Sequence, residues 1–298
     1  MRTTPGMGAV GGVLLLSALS ACFALTAEAA PKKAPKGAAK EKYSAAIVFP
    51  AKGNFDPDQG TVEAVFSPSY SAGDKMGQGS GMTTFTVLSL HGPKGAGRGE
   101  QGLSWGVAIG QSRGNDRFSM SSSRFERPSK YREPSSSIIC GFKPASGLPF
   151  KAGEWYSLAA SWKRTEDKYA LALYIDGKCV DKSTMPVSPM FGTAEPDAKD
   201  LLRFGNPRLM RGSLECLRLS GRARTPEEIA AASKSGLVKD ADTRIFIDAE
   251  AVAKLKTKAA EDLVNKEEKT IRVPPEGLLF GAVEFVPGRN GKVIKFPE

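Results

Sequence analysis

The sequence contains a single histidine, His91, and only four cysteines, none of them in a C-x-x-C pair. A lone histidine excludes histidine-rich metal centres and leaves one candidate for any histidine-dependent catalytic triad. Without C-x-x-C pairs, zinc ribbons and thioredoxin-like redox motifs are excluded as well. Acidic residues are in the minority, with 32 Asp and Glu against 42 Lys and Arg, which gives a formal net charge of +10. This excess favours anionic partners such as acidic glycans, envelope polyphosphates or nucleic acid.

The longest apolar run of the chain lies near its amino terminus, at residues 10–25. Arg2 precedes this run, and Ala27-Glu28-Ala29 follows it as an A-x-A cleavage signature. The pattern predicts a secretory signal peptide over residues 1–29, because the run is too short and wrongly flanked for a membrane-spanning helix. In an alternative interpretation, Cys22 ends a bacterial lipoprotein box and is acylated. Both interpretations predict a secreted, periplasmic or cell-envelope protein without a transmembrane segment.

Behind the signal peptide, residues 30–42 form a basic linker of Pro, Ala, Gly and Lys. The region that follows, residues 43–241, contains many short stretches of β-forming residues separated by turn residues. In the clearest pair, Tyr156–Trp162 and Tyr169–Ile175, apolar side chains alternate so that they share one face of a strand. Asp176-Gly177 supplies the positive-φ pair of a tight hairpin turn. Many short strands without intervening helices predict an all-β fold, an antiparallel sandwich.

One short helix is predicted at the end of this region. Thr225 stands at the N-cap position, Pro226 at the first helical position, and Glu228 completes a capping box. Gly236 is a natural stop for the helix.

Three motifs follow one another along the same region, with h for a hydrophobic residue. Gly60–Pro68 reads G-T-h-E-x-x-h-x-P, Gly153–Lys178 contains G-x-W-x-x-h-A and L-Y-h-D-G-K, and Gly212–Ile229 contains G-x-h-x-x-h-R-h before the capping box. In this order the motifs resemble those of LamG-like domains, which belong to the concanavalin A-like lectin/glucanase superfamily. The resemblance implies a jelly-roll β-sandwich and a module that binds carbohydrate or a cell-surface partner.

Some residues depart from the family pattern. Val65 stands in place of Trp, Glu215 in place of Asp, and Cys216 in place of Glu. These departures weaken the transfer of a calcium or ligand site, and calcium itself needs about six to eight oxygen ligands. The sequence leaves calcium open and indicates no other cofactor. Its scattered oxygen donors are Asp56, Asp58, Asp176, Asn206 and Glu215.

No catalytic constellation is recognisable. Retaining glucanases of the jelly-roll type carry a carboxylate array of the form E-x-D-x-x-E on one strand, and no predicted strand has it. Gly110–Gly114 matches G-x-S-x-G, but no helical pattern follows it and His91 precedes the serine. We therefore expect a non-catalytic binding module. The alternatives are a glycoside hydrolase or lyase with an unrecognised carboxylate pair, and a structural envelope module without a ligand.

A loop-rich segment concentrates arginine and aromatic residues. Arginine pairs bidentately with carboxylate, sulfate or phosphate, and aromatic rings stack on sugars, so the segment is a candidate site for an anionic glycan or an envelope protein. Its alternative interpretation is a solvated loop, and nucleic acid is disfavoured because no recognition motif is present. The candidate ligand-binding residues are Arg113, Arg117, Arg124, Arg127, Tyr131 and Arg132.

Residues 242–298 lie outside the three motifs and are expected to form a C-terminal appendage. Residues 249–266 have helical spacing, and residues 281–296 have the pattern of a β-hairpin. We expect the hairpin to add strands to the sandwich, because an isolated hairpin is barely stable in water.

Loss or acylation of Cys22 leaves three cysteines, an odd number. Cys140 and Cys179 both belong to the central run of strands, which makes them the predicted disulfide pair. Cys216 is then the odd thiol, since strict alternation turns Leu217 and Leu219 to the core and Cys216 away from it. The alternative is that all three thiols are reduced.

Overall fold

The computed structural model describes residues 44–71, 82–91, 102–112, 115–125, 135–144, 148–186, 196, 198–206, 210–265 and 271–297. The predicted signal peptide and linker lie outside these residues. The described ranges contain sixteen β-strands and three α-helices. The strands are β1 (Ala46–Pro50), β2 (Gln59–Ser67), β3 (Met82–His91), β4 (Gly102–Ser112), β5 (Asn115–Phe125), β6 (Ser135–Phe142), β7 (Tyr156–Arg164), β8 (Lys168–Ile175), β9 (Lys178–Pro186), β10 (Leu201–Gly205), β11 (Ser213–Ser220), β12 (Thr243–Asp248), β13 (Lys256–Lys258), β14 (Leu278–Phe280), β15 (Glu284–Gly288) and β16 (Gly291–Lys295). The helices are α1 (Pro226–Ser235), α2 (Ala249–Ala253) and α3 (Ala260–Asn265).

The strands form two sheets. Sheet I has the order β13-β14-β1-β10-β3-β4-β5-β6, and sheet II has the order β15-β16-β11-β2-β7-β8-β9, with β12 also paired to β11. All pairs are antiparallel except β13 with β14. This architecture confirms the predicted fold class, an antiparallel jelly-roll β-sandwich.

The inner faces of the two sheets enclose one main hydrophobic core. On β7 and β8 the predicted alternation holds, because Leu158, Trp162 and Leu173 are buried in that core. The indole N–H of Trp162 donates to the carbonyl oxygen of Asp56 at 2.9 Å, so the ring has both apolar contacts and a polar partner. At the β8–β9 turn, Asp176 and Gly177 have φ values of 49° and 73°, as the predicted tight turn requires.

The C-terminal segment adds strands to both sheets. β14 pairs with β1 in sheet I, while β16 and β12 pair with successive parts of β11 in sheet II. The helix expected over residues 249–266 was wrong as a single element. Its middle part is strand β13, which pairs in parallel with β14 and so separates α2 from α3. Long-range pairing overrides the local helical spacing here.

Helix α1 begins as predicted, and its first turn is anchored by charges. The Thr225 hydroxyl accepts from the Glu228 backbone at 3.3 Å, and the Thr225 backbone donates to the Glu228 carboxylate at 2.8 Å. Arg222 donates to the same carboxylate at 2.8 Å and to Asp242 at 2.6 Å. These bonds lower the pKa of Glu228 from 4.5 to about 2, with Arg222 as the largest cause. Arg222 thereby ties the helix to the strand β12 region.

A buried ion cluster lies on the outer face of sheet II. Glu63 on β2 and Arg218 on β11 are cross-strand neighbours, and their carboxylate and guanidinium groups are 2.6 Å apart with 2% and 3% of their side chains exposed. Arg224 lies 3.5 Å from the same carboxylate and 2.6 Å from Asp240. Burial raises the pKa of Glu63, and the two guanidinium groups oppose this shift. The cluster is covered by residues 236–243, called the covering segment below, in which the Val238 carbonyl accepts from Arg218 at 2.8 Å.

Neutralising Glu63 is expected to destabilise the fold strongly. In the Glu63→Gln variant, two buried guanidinium groups lose their shared carboxylate, which costs about 3–5 kcal/mol of unfolding free energy. Urea unfolding followed by tryptophan fluorescence measures the loss. The matched control is Glu284→Gln, because Glu284 forms an exposed pair with Lys295 at 4.0 Å that is worth less than about 1 kcal/mol. Equal losses in the two variants would contradict the structural role of the cluster.

Glu228 is expected to make stability depend on pH in the acid range. Its pKa is depressed in the folded state, so its contribution is present above pH 4.5 and is lost as the pH falls towards about 2. The carboxylate is about one-third exposed, and we expect Glu228→Gln to cost only about 1 kcal/mol at neutral pH. The difference in unfolding free energy between Glu228→Gln and the wild type should shrink as the pH is lowered from 4.5 towards about 2. Glu227→Gln is the control, and an equal effect there would exclude the proposed anchoring.

Candidate functional site

The outer face of sheet II carries an open groove at the strands β7, β8 and β9. Its floor and walls come from alternate residues of these strands, because side chains two apart in a strand share a face. The groove encloses about 400 Å³, a volume within the range of small-molecule binding sites. The residues that line this β7–β9 groove include Ser161, Lys163, Ala170, Ala172, Tyr174, Lys182, Thr184 and Ala223.

The strand register arranges six of these residues in two rows. The first row runs from Ser161 through Ala172 to Lys182, and the second runs from Lys163 through Ala170 to Thr184. Each row therefore has an alanine on the central strand β8. The two lysines stand on opposite flanking strands and in different rows, so they lie diagonally across the alanine floor.

The polar groups of the groove differ in exposure. Lys163, Lys182 and Thr184 are exposed, as is Ala170 on the floor, whereas Tyr174 is buried at one end. Burial raises the pKa of the Tyr174 phenol. Ammonium groups and hydroxyls can all donate hydrogen bonds. The groove can thus bind a ligand rich in acceptor oxygens.

One wall of the groove is held in place by two backbone contacts. The Thr61 hydroxyl donates to the Arg222 carbonyl at 3.0 Å and accepts from the Arg224 backbone N–H at 2.8 Å. Ala223 is fixed between these two residues. Beside it, Ile229 of α1 packs in a buried cluster that includes Ala172 and Tyr174. The groove is therefore a preformed feature of the sheet and not a gap between loosely packed loops.

The predicted arginine-rich site is only partly described. Arg117 and Arg124 lie on strand β5 of sheet I, whereas Arg113, Arg127, Tyr131 and Arg132 lie outside the described residues. The neighbour of Arg117, Phe118, is buried in the core, so alternation turns Arg117 to the outer face of sheet I. Arg117 is therefore on the opposite side of the sandwich from the β7–β9 groove.

The oxygen donors considered for calcium are separated in the structure. Asp58 pairs with Arg164 at 3.1 Å, at the end of β7, and the Asp176 carboxylate accepts from the Ser157 backbone, at the start of β7. Glu215 pairs with Arg289 at 2.6 Å on another part of sheet II. Within the described ranges, no group of three or more His, Cys, Asp or Glu residues is placed to hold a metal ion.

The predicted disulfide bond between Cys140 and Cys179 is not formed, since Cys140, Cys179 and Cys216 are all free thiols. The Cys140 thiol lies 3.2 Å from the Asp181 carboxylate, and the Cys179 thiol lies 3.5 Å from the Asp181 carbonyl oxygen. Burial raises the pKa of the Cys140 thiol. Asp181 thus provides each thiol with a hydrogen-bond acceptor. Cys216 faces away from the main core, as alternation predicts, but it is buried against Val65 and Leu237.

Sequence reasoning did not identify Lys163, Lys182 or Thr184 as binding residues. The alternation of β7 and β8 is visible in the sequence, and it already places Lys163 and Ala170 on outer faces. What the sequence does not show is the register between three strands, which decides that these residues are neighbours. Polar residues are common on the outer face of a sheet, so the presence of lysines there does not by itself indicate a binding site.

No helix within the described residues is long and apolar enough to cross a membrane.

Solved structures with similar folds are distant in sequence. A native heptameric SAP-like pentraxin from Limulus polyphemus is 14% identical, with a TM-score of 0.36, and the match covers 68% of this chain and 82% of the pentraxin. A putative carbohydrate binding protein from Bacteroides ovatus is 12% identical, with a TM-score of 0.39, over 87% of this chain and 59% of that protein. The CBM40 of the IT-sialidase from Ruminococcus gnavus, bound to α2,3 sialyllactose, is 11% identical, with a TM-score of 0.34, over 63% of this chain and 93% of that module.

Comparison with curated proteins gave no match. A family model described as concanavalin A-like lectin/glucanases superfamily matches residues 42–230, which is more than half of the chain. The matched region runs from just before β1 to the first turn of α1, and so includes the strands and the loop that form the β7–β9 groove. The chain belongs to the concanavalin A-like lectin/glucanase superfamily.

Proposed function

We propose that this protein is an exported, non-catalytic carbohydrate-binding module and that its ligand binds in the β7–β9 groove. The observation that carries the proposal is the two-row arrangement of the groove. The methyl group of Ala170 gives an exposed apolar floor, against which the C–H face of a sugar ring can pack, and Ala172 continues this floor to the buried end beside Ile229. The donors of Lys163, Lys182 and Thr184 stand around this floor, where the hydroxyl and ring oxygens of the sugar would lie.

The carboxylates near this face support a binding function over hydrolysis. Glycosidases use two carboxyl groups about 5–10 Å apart on either side of the bond they cleave. Among the described residues that line the groove there is neither Asp nor Glu. The neighbouring carboxylates of Asp58, Glu63 and Asp176 are each engaged by a guanidinium group or a backbone N–H. A carboxylate held in such a contact has a structural role.

The arginine-rich segment is proposed as a separate contact surface. Arg117 and Arg124 lie on β5 of sheet I, whereas Arg113, Arg127, Tyr131 and Arg132 lie outside the described residues and belong to this surface by sequence proximity alone. An Arg117→Ser variant therefore belongs in the binding experiments, as a comparison with variants in the groove.

Export is proposed from residues 1–29 and is testable on the intact gene product. We expect the mature protein to begin at Ala30 and to leave the cytoplasm, because an A-x-A signature follows the apolar run. Intact mass and N-terminal sequencing of the protein from cell fractions measure this. Acylation at Cys22 would instead give a lipidated chain in the membrane fraction, and Cys22→Ser distinguishes the two routes. An unprocessed cytoplasmic chain would overturn the proposal of export.

Filling the groove is expected to abolish saccharide binding. The Ala170→Trp substitution places an indole on the floor at an exposed position, so it should lower the affinity for any groove ligand at least tenfold with little loss of stability. A glycan array identifies the ligands of the wild type, and titration calorimetry then compares the variants. Ala231→Trp, at an exposed position on α1, is the matched control. If Ala170→Trp binds as tightly as Ala231→Trp while Arg117→Ser loses binding, the ligand lies on sheet I and the groove proposal fails.

The same samples test the absence of catalysis. Incubation of the wild type with the bound glycans should release no reducing sugar and no unsaturated product. If the purified protein releases such products, and if mutation of a carboxylate abolishes this activity, the protein is a hydrolase or lyase.

A further inference from the structure

We infer that the β7–β9 groove is selective for acidic oligosaccharides and that Lys163 and Lys182 each bind one acidic group of the ligand. This inference rests on the proposed function of the groove as a saccharide site. It adds the charge class of the ligand and the two residues that determine it.

The first argument is the spacing of the two lysines. Lys163 and Lys182 are on the two strands that flank β8, and they lie in adjacent rows of the register. With strands about 4.8 Å apart and a rise of about 3.4 Å per residue, their Cα atoms are about 12 Å apart. Two lysines at this separation, on opposite sides of the alanine floor, fit a ligand that extends across the groove and carries more than one acidic group.

The second argument is that neither lysine has an ion-pair partner within the described part of the chain. Among the described residues, no ion pair or side-chain hydrogen bond engages Lys163 or Lys182. Two arginines of the same sheet form internal ion pairs: Arg164 pairs with Asp58, and Arg218 pairs with Glu63. The lysines of the groove therefore differ from the arginines around them in having an exposed charge available for a ligand.

The third argument concerns the carboxylates closest to the groove. Asp181 precedes Lys182 in β9 but is turned to sheet I, where its carboxylate accepts from the Gly141 backbone at 2.7 Å and contacts the Cys140 thiol. Glu227 lies in the first turn of α1 and is not among the described residues that line the groove. Glu166 and Asp167 lie in the β7–β8 turn and are not among the described lining residues, which are cationic or neutral. The groove therefore carries a local positive charge that attracts acidic ligands.

Each lysine is expected to contribute a modest factor to affinity. A charge-assisted contact at an exposed site is worth roughly 1 kcal/mol, which corresponds to about fivefold in the dissociation constant. Loss of both should cost more than tenfold for an acidic ligand and little for a neutral one. Because the charges are exposed, the preference for acidic ligands should also weaken as the salt concentration rises.

The test compares ligands that differ only in charge. A suitable matched pair is oligogalacturonate with its methyl ester. Binding of the wild type, Lys163→Gln, Lys182→Gln and the double variant is measured by titration calorimetry. Lys52→Gln, at an exposed turn outside the groove, is the control, and Lys182→Arg should retain the binding because it keeps the charge.

The outcomes separate this inference from the proposed function. Tighter binding of the acidic member of a pair, lost in the double variant and kept in Lys52→Gln, supports the inference. Equal binding of both members, with loss in Ala170→Trp, overturns the acidic preference and leaves the groove as a saccharide site. Acidic binding that persists in the double variant also overturns it. Failure of the wild type to bind any saccharide on the array overturns both proposals.

Discussion

The outer face of sheet II depends on one buried electrostatic arrangement, in which the Glu63 carboxylate faces the guanidinium groups of Arg218 and Arg224. Two buried cations and one buried anion leave an excess positive charge without solvent. The Asp240 carboxylate and the Val238 carbonyl of the covering segment compensate this charge. Those contacts fix where residues 236–243 cross the sheet. Helix α1, which directly precedes the covering segment, is fixed with it.

The groove is the part of the same face that this covering layer does not reach. Ile229 of α1 packs on Ala172 and Tyr174, and Ala223 borders the groove between two residues held by Thr61. Beyond that border, Ala170 and its neighbours on β7 and β9 are exposed. The position of the candidate site thus depends on how the chain after β11 is held against the outer face of sheet II.

Local patterns were sufficient to predict the sandwich and α1, since strand alternation and a capping box act over a few residues. Long-range pairing was not predictable in the same way. The β13 strand replaces the middle of an expected helix because β14 pairs with it. The predicted Cys140–Cys179 bond is absent, and each thiol contacts an oxygen of Asp181. The groove required the register of β7, β8 and β9, which the sequence does not contain in any local form. The arginine-rich segment attracted notice through composition alone, and four of its six candidate residues lie outside the described part of the chain.

The placement of β1 has a consequence for the order in which the protein is assembled. Its two neighbours in sheet I are β10 and β14, each more than half the chain length away in sequence. A nascent chain therefore cannot satisfy the backbone hydrogen bonds of its first strand until nearly all of its residues are available, and sheets closed by such distant partners form slowly. The segment next to the predicted leader is then among the last to acquire its native pairing. On the proposed export route, late closure would keep the leading end extended while the rest of the chain is still being delivered.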